Sequence, residues 1–312
     1  MYIPPALIIT YNPQTDFYTR LDAFYNELSQ VIIVDNGSSL EARHLLEEEA
    51  QRRENSLHII FNEENRGVAT ALNQGFRLAV EEGFEQIFTF DQDSSPTEGM
   101  LTALWETFKK TPKHDHLAVV SPVVGDSNVN IHARFLRAKK GLFFERVACM
   151  EEILPNISFS ITSGSLFNLK AYQQLGVFQD DFFIDYVDIE YCLRANQADY
   201  QIIAVCDAYL EHRLGEREKR ELLGRKHYPT FHSPLRWYYI SRNRIPMLKK
   251  YALRFPHWFS FEIISSTYIL IRMLLFETQK TIKLRAVFLG TFDGLRGRMG
   301  KATRDIERKL KC

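Results

Sequence analysis

The sequence predicts an α/β protein built on a mainly parallel sheet flanked by helices, with a helical extension at its C-terminal end. Through the first 120 residues, short apolar runs alternate with longer segments of helical periodicity. The second apolar run, Val31 to Val34, is nearly all β-branched, which is typical of a strand in a sheet covered on both faces. With 312 residues, the chain can bury a sizeable core.

The alternation predicts five strands and four helices in this part of the chain. The predicted strands are Ala6 to Ile9, Val31 to Val34, Leu57 to Phe61, Gln86 to Phe90 and Leu117 to Val120. The predicted helices are Asp16 to Leu28, Leu40 to Arg53, Val68 to Val80 and Thr97 to Lys109. In the third helix, Ala69, Leu72, Phe76 and Ala79 recur at roughly helical spacing, so one face can pack on the sheet.

Beyond residue 120 the pattern is less regular. Residues 123 to 159 are predicted to form a loop or hairpin region, and the charged run Glu211 to Lys226 a mobile loop. Between them we expect a helix over Lys170 to Leu175, a loop from Phe182 that enters a second helix, and a strand over Gln201 to Val205. Residues from Pro234 onward are aromatic, basic and predicted helical. We therefore divide the chain into an α/β domain, 1–240, and an extension, 241–312.

Cysteine usage and the N-terminus predict a reduced, cytoplasmic protein. The four cysteines, Cys149, Cys192, Cys206 and Cys312, form no zinc-ligand spacing, and no basic flank with an apolar signal core opens the chain. The longest apolar stretch, Trp258 to Phe276, is interrupted by Glu262 and Arg272. That stretch is too polar to predict a transmembrane helix.

Polar residues follow each predicted strand, where the ligands of a parallel sheet bind. The most informative of them are Asp91 and Asp93, which are separated by one residue at the end of an apolar run. Two carboxylates at a sheet edge offer hard oxygen ligands to a divalent cation, which could neutralise a nucleotide diphosphate. Asp-x-Asp also occurs as turn chemistry after a strand, so the triplet alone does not decide the function.

Six ordered motifs closely resemble the inverting GT-A glycosyltransferases of family 2, over residues 3 to 245. The motifs are Ile9-Thr10-Tyr11-Asn12, Val34-Asp35-Asn36-Gly37-Ser38, Asn65-Arg66-Gly67 with Asn73, Asp91-Gln92-Asp93, Ser163-Gly164 and Asp185-Tyr186-Val187-Asp188-Ile189-Glu190. The segments Phe90 to Ser94 and Phe183 to Asp188 look most like bacterial rhamnosyltransferases of surface polysaccharide synthesis. The resemblance implies a Rossmann-like GT-A fold and transfer of L-rhamnose from dTDP-L-rhamnose onto a saccharide or polyprenyl-linked acceptor.

The residues that end the first three strands are candidates for the nucleotide-sugar site, together with the Asp-x-Asp segment. Thr10 and Tyr11 can line the base and ribose, and Asp35 can accept from a pyrimidine N3 proton or a ribose hydroxyl. Asn65 and Gly67 precede a helix N-terminus that attracts phosphate, and Arg66 either adds charge there or is an exposed cap residue. The predicted donor-binding set is Thr10, Tyr11, Asn12, Asp35, Asn36, Asn65, Arg66, Gly67, Asn73, Asp91 and Gln92.

A divalent cation, Mg²⁺ or Mn²⁺, is expected at Asp93, with Asp91 contacting the ribose or reaching the metal through water. The family pattern can add a downstream histidine, and His212 stands at the matching position. A histidine in a charged loop is otherwise a surface residue.

Alignment on the family's acidic motif assigns Asp188 as the base that takes the acceptor proton and Glu190 as a second acid. Val187 departs from the motif, so Asp185 is the candidate for the supporting charge. These acids could instead favour the positive end of the following helix. Acceptor or diphosphate contacts are predicted for Ser163, Gly164, Arg194, Arg242 and Asn243. For the last two, an amphipathic helix with a basic face is the alternative.

Charge is unevenly distributed along the chain. Residues 241–312 hold 16 lysines and arginines against 5 acids, a net of +11, although the whole chain is neutral. This charge, with the aromatic cluster from Phe255 to Phe261, predicts peripheral attachment to the anionic inner face of the cell membrane. A homo-oligomer interface is the alternative. Nucleic acid is not expected, because the run lacks a reading motif and the body is acidic.

Three other functions compete with rhamnosyl transfer. The same fold could use a UDP-sugar for galactofuranosyl or hexosyl transfer. A catalytically silent sugar-nucleotide-binding partner is disfavoured by the presence of Asp93 and Asp188. A nucleotidyltransferase would open with a Gly-rich phosphate loop, whereas this chain has Thr10-Tyr11-Asn12-Pro13 after its first strand.

Overall fold

A nine-stranded mixed sheet organises the first of two compact units in the computed structural model. The structure describes residues 3–125, 134–139, 141–212, 220–222, 225–227 and 231–311, without the side chains of residues 211–230. The first unit comprises Met1–Arg137, Arg146–Asp180 and Val187–Arg213, and the second comprises Ala138–Glu145, Asp181–Tyr186 and Leu214–Cys312. The predicted boundary at residue 240 falls inside a continuous helix, Pro234–Tyr251.

Thirteen strands occur in the described residues. They are β1 (Ala6–Thr10), β2 (Val31–Asp35), β3 (Leu57–Phe61), β4 (Gln86–Asp91), β5 (Ser94–Pro96), β6 (Leu117–Gly125), β7 (Arg134–Ala138), β8 (Phe144–Ala148), β9 (Ile153–Leu154), β10 (Leu166–Asn168), β11 (Gln201–His212), β12 (Arg220–Leu222) and β13 (Arg225–His227). The large sheet has the order β3-β2-β1-β4-β10-β6-β11-β5, and β9 pairs with β11. Strands β1 to β4 are mutually parallel where they pair, and β10 is antiparallel to both its neighbours.

Ten α-helices flank or follow these strands in the described residues. They are α1 (Thr15–Phe24), α2 (Leu40–Arg53), α3 (Val68–Glu81), α4 (Met100–Lys110), α5 (Leu169–Leu175), α6 (Val187–Gln197), α7 (Pro234–Tyr251), α8 (Pro256–Phe276), α9 (Lys280–Leu295) and α10 (Arg304–Leu310). The predicted α/β class with a C-terminal helical extension is confirmed.

Helix α3 shows why the sequence pattern predicted the sheet packing. Ala69, Leu72, Phe76 and Ala79 are all buried, as their spacing indicates. Gly75 lies against the side chain of Leu7 in β1, where a Cβ atom would overlap it. The helix therefore rests directly on the centre of the sheet.

Some predicted elements differ from the structure. Helix α1 ends at Phe24, four residues before the predicted end, because the chain turns there with the Tyr25 N–H bonded to the Asp22 carbonyl. Strand β11 continues past the predicted Val205 to His212 after a register shift. Within the predicted loop or hairpin region, the hairpin strands are β7 and β8. Most of the predicted Glu211 to Lys226 loop lies outside the described residues.

The expectation of reduced cysteines does not hold for one pair, because Cys149 and Cys206 form a disulfide. Their Cα atoms are 5.4 Å apart across 57 residues of sequence. Pairing of β9 with β11 brings them together, with the Cys206 N–H bonded to the Glu152 carbonyl at 2.9 Å. Cys192 is free and buried. No linear spacing of cysteines encodes such a pairing.

Helices α7 to α10 form the core of the second unit. Gly290 and Gly294 of α9 face the backbone of α7 so closely that a Cβ at Gly290 would overlap the Tyr238 carbonyl oxygen. Helix α8 is the one helix of the described residues that is long and apolar enough to cross a membrane, judged by length and composition alone. Its most apolar window has a mean hydropathy of 1.5, although the sequence had indicated too polar a stretch.

Candidate active site

Four parallel strands end at a common edge of the sheet, and the candidate donor residues follow them. Thr10 pairs with Asp35 in the register of β1 and β2, and Asp35 pairs with Phe61 of β3. On the other side of β1, Ile9 pairs with Asp91, the last residue of β4. Because carboxyl ends of parallel strands bind ligands at such an edge, this is the candidate active site.

Asp35 is fully buried and its carboxylate is surrounded by protein donors. It accepts hydrogen bonds from Thr10 Oγ1 at 3.2 Å, from Ser38 Oγ, and from the Ser38 N–H at 3.0 Å. The Arg43 Nε atom lies 3.7 Å from Oδ2. Asp35 therefore joins the ends of β1 and β2, and its contact with a base stays a prediction.

Asn12 connects the same two loops from the other side. Its N–H donates to Ser38 Oγ at 2.7 Å, and its side-chain oxygen accepts from the Ser39 N–H at 2.8 Å. The residue has a positive φ of 49°, which asparagine tolerates better than most residues. Asn12 thus lies in the loop between β1 and α1, with its side-chain oxygen bound to protein. Its contact with the donor stays a prediction.

The segment before α3 is held by a network of side-chain amides. Asn36 donates to the carbonyl oxygen of Gly67 at 3.1 Å and to Asn65 at 3.2 Å, and accepts from the Arg66 N–H at 2.9 Å. Asn65 in turn accepts from the Gly67 N–H. A Cβ at Gly37 would lie 2.6 Å from the Asn65 backbone nitrogen, so only glycine fits there. The Arg66 side chain is exposed beside the α3 N-terminus.

Gln92 binds the backbone of Tyr11, and its predicted contact with the donor stays a prediction. Its side-chain oxygen accepts from the Tyr11 N–H at 2.8 Å, and its amide donates to the Tyr11 carbonyl at 3.3 Å. Arg20, which is ion-paired with Asp16 at 2.6 Å, donates to the Gln92 carbonyl at 3.0 Å. Gln92 thus joins the end of β1 to the Asp-x-Asp segment, while the Tyr11 side chain stays half-exposed.

The Asp-x-Asp segment is also fixed from the Ser163-Gly164 motif. The Asp91 N–H donates to Ser163 Oγ at 3.1 Å, and that hydroxyl donates to Ser94 at 2.9 Å. Gly164 has a φ of +81° and donates from its N–H to the Thr89 carbonyl at 2.6 Å. These contacts place the predicted acceptor motif directly against β4.

The carboxylate oxygens at this edge of the sheet suit a hard divalent cation. Asp93 is exposed and Asp91 half-buried. His212 pairs with Ser94 in the backbone register, one residue from Asp93, but its side chain lies outside the described part of the chain. Within the described residues no three metal-ligating side chains cluster. Mg²⁺ is commonly bound by one or two carboxylates together with substrate phosphates, so Asp91 and Asp93 fit such an ion.

The two predicted acids of α6 lie in different environments. Asp188 is half-buried, and its Oδ1 accepts from the Ile189 N–H at 2.8 Å. Glu190 is 1% exposed and forms a salt bridge with Arg194 at 2.8 Å. Arg194 also donates to the carbonyl oxygens of residues 175, 176 and 177 at 2.6 to 3.0 Å. These contacts indicate that Glu190 and Arg194 stabilise the α5–α6 connection, and their predicted roles in the reaction and at the acceptor stay predictions.

Arg242 and Asn243, predicted to contact the acceptor or its diphosphate, are buried in the second unit. Arg242 donates to the carbonyls of Asp181, Phe182 and Gly300, and Asn243 to those of Phe182, Ile184 and Asp185. Burial lowers the pKa of the Arg242 guanidinium. Both side chains are therefore used to hold the loop that ends at Tyr186.

That loop has a strained backbone and contains the predicted supporting acid. Phe183, Asp185 and Tyr186 have φ values of 66°, 62° and 65°, in the left-handed region that non-glycine residues seldom adopt. Asp185 is ion-paired with Arg236 at 2.9 Å. Strain of this kind persists only where surrounding contacts fix it, which Arg242 and Asn243 do.

Asn73, also predicted in the donor site, is buried and its polar atoms are bound to protein. It donates to the Phe178 carbonyl at 2.9 Å and to Asp180 at 2.6 Å, and accepts from Tyr172 at 2.8 Å. Its contacts indicate a structural role between α3 and the segment after α5.

Sequence reasoning missed Ser38, Ser94, Arg20 and Arg236 as organising residues. Ser38 ends the motif Val34-Asp35-Asn36-Gly37-Ser38, and its position three residues after Asp35 was the available signal. No local signal existed for the contacts of Arg20 with Gln92 and of Arg236 with Asp185, since these partners are 72 and 51 residues away.

Comparison with known proteins identifies the family. Residues 6–176 match the profile of "Glycosyl transferase family 2", which is more than half of the chain. The protein belongs to glycosyl transferase family 2. It is therefore a glycosyltransferase with the GT-A fold, as the motifs predicted. The matched residues include Asp91 and Asp93 but end before Asp188.

Two curated relatives align with this chain over nearly its whole length. The dTDP-rhamnosyl transferase RfbF of Shigella flexneri is 28% identical over 301 residues, covering 95% of this chain and 96% of the relative. The low-salt glycan biosynthesis hexosyltransferase Agl10 of Haloferax volcanii is 22% identical, covering 96% and 92%.

Solved structures with 13% identity share the fold. S. aureus TarS 1-349 superimposes with a TM-score of 0.58 over 96% of this chain and 82% of that one. GalNAc-T7, crystallised with UDP, GalNAc and Mn²⁺, superimposes with a TM-score of 0.56 over 77% of this chain. The match covers 47%, about half, of the GalNAc-T7 chain.

Proposed function

We propose that the glycosyltransferase transfers L-rhamnose from dTDP-L-rhamnose, with inversion, onto a saccharide or lipid-linked saccharide acceptor of surface polysaccharide synthesis. The observation that carries this proposal is the full-length similarity to a dTDP-rhamnosyl transferase, 28% over 95% of the chain. The rhamnosyltransferase-like segment around Asp91-Gln92-Asp93 lies at the carboxyl edge of the sheet, which supports the same donor class. We place the reaction on the cytoplasmic face of the membrane.

Donor binding is assigned to the exposed groups of the sheet edge. The ring of Tyr11 is 48% exposed and offers a stacking face for a pyrimidine. Arg66 and the α3 N-terminus provide positive potential for the diphosphate. Asp93 and Asp91 would hold Mg²⁺ or Mn²⁺, which when bound neutralises the charge on the departing nucleoside diphosphate.

Transfer itself requires one base, and we assign Asp188 to that role. Its carboxylate takes the proton of the acceptor hydroxyl while the hydroxyl oxygen attacks the anomeric carbon opposite the diphosphate. A bond forms from the acceptor oxygen to that carbon as the bond to the phosphate oxygen breaks. In-line displacement with a single base inverts the anomeric configuration. Asp185, held by Arg236, has the supporting charge in this scheme.

The donor assignment is tested by measuring nucleotide release and glycosyl transfer from a panel of donors. We expect dTDP-L-rhamnose to be preferred over UDP-glucose, UDP-galactose and UDP-galactofuranose, with activity lost in excess EDTA. Asp93→Asn should weaken donor turnover, whereas Asp115→Asn, an exposed acid at the opposite end of the sheet, serves as the matched control. Preference for a UDP-sugar would refute the assignment of dTDP-L-rhamnose as donor. Full activity in EDTA would refute the requirement for a divalent cation.

A further inference from the structure

Helix α8 carries apolar side chains on all sides, although only one of its sides is buried. Trp258, Glu262 and Met273 face the interior of the second unit. On the other side, seven large apolar side chains are between 37% and 57% exposed: Phe259, Ile263, Ile264, Tyr268, Ile271, Leu274 and Leu275. A helix that is hydrophobic all round is normally enclosed by other elements. An exposed apolar face of this extent indicates an interaction surface.

Helix α9 carries a second exposed apolar stripe. Leu284, Phe288, Phe292 and Leu295 recur at spacings of four, four and three residues and are 38% to 67% exposed. The opposite face, which includes Ala286, Gly290 and Gly294, is buried. The outward stripe is therefore not part of the core of the second unit.

The surface charge around these two helices is mostly positive, because three of the five acids of the extension are buried. The exposed Asp305 pairs with Arg308 and Lys309. Glu262 is paired with Arg244 at 2.8 Å, and Glu277 with Lys283 at 2.7 Å. Asp293 is buried and accepts from the Tyr238 hydroxyl at 2.8 Å. The exposed basic residues of the last three helices and their connections are Lys280, Arg285, Arg296, Arg298, Lys301, Arg304, Arg308, Lys309 and Lys311.

Cations also lie over the aromatic rings of the exposed faces. The Arg296 guanidinium is 3.9 Å from the centroid of the Phe292 ring, and that of Arg272 is 5.5 Å from Tyr268. Aromatic rings flanked by arginines, whose stems cover apolar surface while their heads reach water, are the side chains that membrane interfaces favour.

We propose that the outward faces of α8 and α9 bind the surface of a membrane rich in anionic lipid, with α8 lying in the plane of the interface. Lipid headgroups match both the apolar face and the surrounding positive charge. A second copy of the chain would match the apolar face but bring like charges together. A transmembrane α8 would expose the Glu262–Arg244 pair to hydrocarbon, which is costly for ionised groups.

The proposal is tested with the full-length protein by flotation with vesicles of phosphatidylcholine, with and without phosphatidylglycerol. We expect binding only to the anionic vesicles, weakened by salt because the Debye length is about 10 Å at 0.1 M. Each removed base, as in Arg296→Gln or Lys301→Gln, should weaken binding about fivefold. These measurements need no donor or acceptor, so their outcome is separate from that of the proposed reaction.

Apolar variants separate the interface from the alternatives. Ile264→Ser combined with Phe288→Ser should weaken vesicle binding by about tenfold or more, while Leu40→Ser, an 85% exposed leucine of the first unit, should leave it unchanged. Thermal unfolding establishes that the variants are folded. Unchanged vesicle binding of the double variant overturns the proposal. The proposal is also overturned if the unaltered protein forms a dimer without lipid and the double variant does not. Resistance of bound protein to alkaline carbonate extraction would overturn the in-plane arrangement.

Discussion

The contrast between Asp188 and Glu190 gives a test in which stability and catalysis should separate. Both acids lie on the first turn of α6, and both were candidates for the chemistry. Glu190 is buried against Arg194, whereas Asp188 is half-buried with one oxygen bonded to the backbone of Ile189. Removing Glu190 should therefore destabilise the fold, and changing Asp188 should impair transfer.

The magnitude for Glu190→Ala follows from the buried salt bridge. Breaking such a pair costs about 3–5 kcal/mol, because one charge is left buried without its partner. Arg194 keeps three bonds to carbonyl oxygens, which partly compensate its charge, so the expected loss is about 3 kcal/mol. For a unit of about 200 residues, each kcal/mol lowers Tm by about 2–4 °C. Glu190→Ala should thus lower Tm by about 6–12 °C.

Asp188→Asn should behave in the opposite way. The amide oxygen can still accept from the Ile189 N–H, so the free energy of unfolding should change by about 0.5 kcal/mol or less. Loss of the proton acceptor should reduce transfer by about 10² to 10⁴ while donor affinity is retained. Asp185→Asn should cost less transfer than Asp188→Asn.

Differential scanning calorimetry and single-donor transfer assays on the same preparations measure both effects. Transfer should be assayed well below the Tm of Glu190→Ala so that unfolding does not contribute. A Glu190 variant that keeps its Tm but loses transfer would refute the structural role assigned to the salt bridge. An active Asp188→Asn with an inactive Asp185→Asn would move the base to Asp185.

Two further predictions concern the Gln92 contact and the cysteines. Gln92→Leu removes both bonds to the Tyr11 backbone, worth about 1 kcal/mol or more together, so Tm should fall by about 2–4 °C relative to the exposed control Gln173→Leu. The donor KM should rise as well, because the loops after β1 and β4 are less well fixed, and an unchanged KM would contradict the positioning role. Burial raises the pKa of the Cys192 thiol to about 12, so native protein at pH 8 should resist alkylation there. After denaturation without reductant, mass spectrometry should find Cys149 and Cys206 unlabelled, and their alkylation would restore the sequence-based expectation of a reduced protein.

The α/β architecture was predictable because its signal is local. Strands of a sheet covered on both faces are apolar throughout, so Val31–Val34 stands out without any knowledge of its neighbours. Helix α3 reveals its buried face through the spacing of Ala69, Leu72 and Phe76. Polar residues at the strand ends were predicted to lie together because parallel strands end at one edge, and the register of β1 with β2 and β4 bears this out.

What each polar side chain contacts was not predictable, since the partners are distant in sequence. Asn243 binds carbonyls of residues 182 to 185, about sixty positions earlier, and nothing in its local sequence distinguishes such a contact from one to a ligand. Glu190 and Arg194 had a local signal, because acid and base four residues apart on a helix commonly pair. The resemblance to the family gave Glu190 a role in the reaction and Arg194 a contact with the acceptor, and both roles stay predictions.

The contacts at the sheet edge distinguish residues that are bound to protein from residues that remain exposed. Asp35, Asn36 and Gln92 bind neighbouring backbone and side chains, and in doing so fix the loops that follow β1, β2 and β4. Tyr11 and Asp93 extend from those fixed loops and remain exposed. A transition state is stabilised best by groups already in position, because reorganising them during the reaction costs energy. We therefore expect Asp35, Asn36 and Gln92 to contribute to transfer by placing the exposed Tyr11 ring and Asp93 carboxylate.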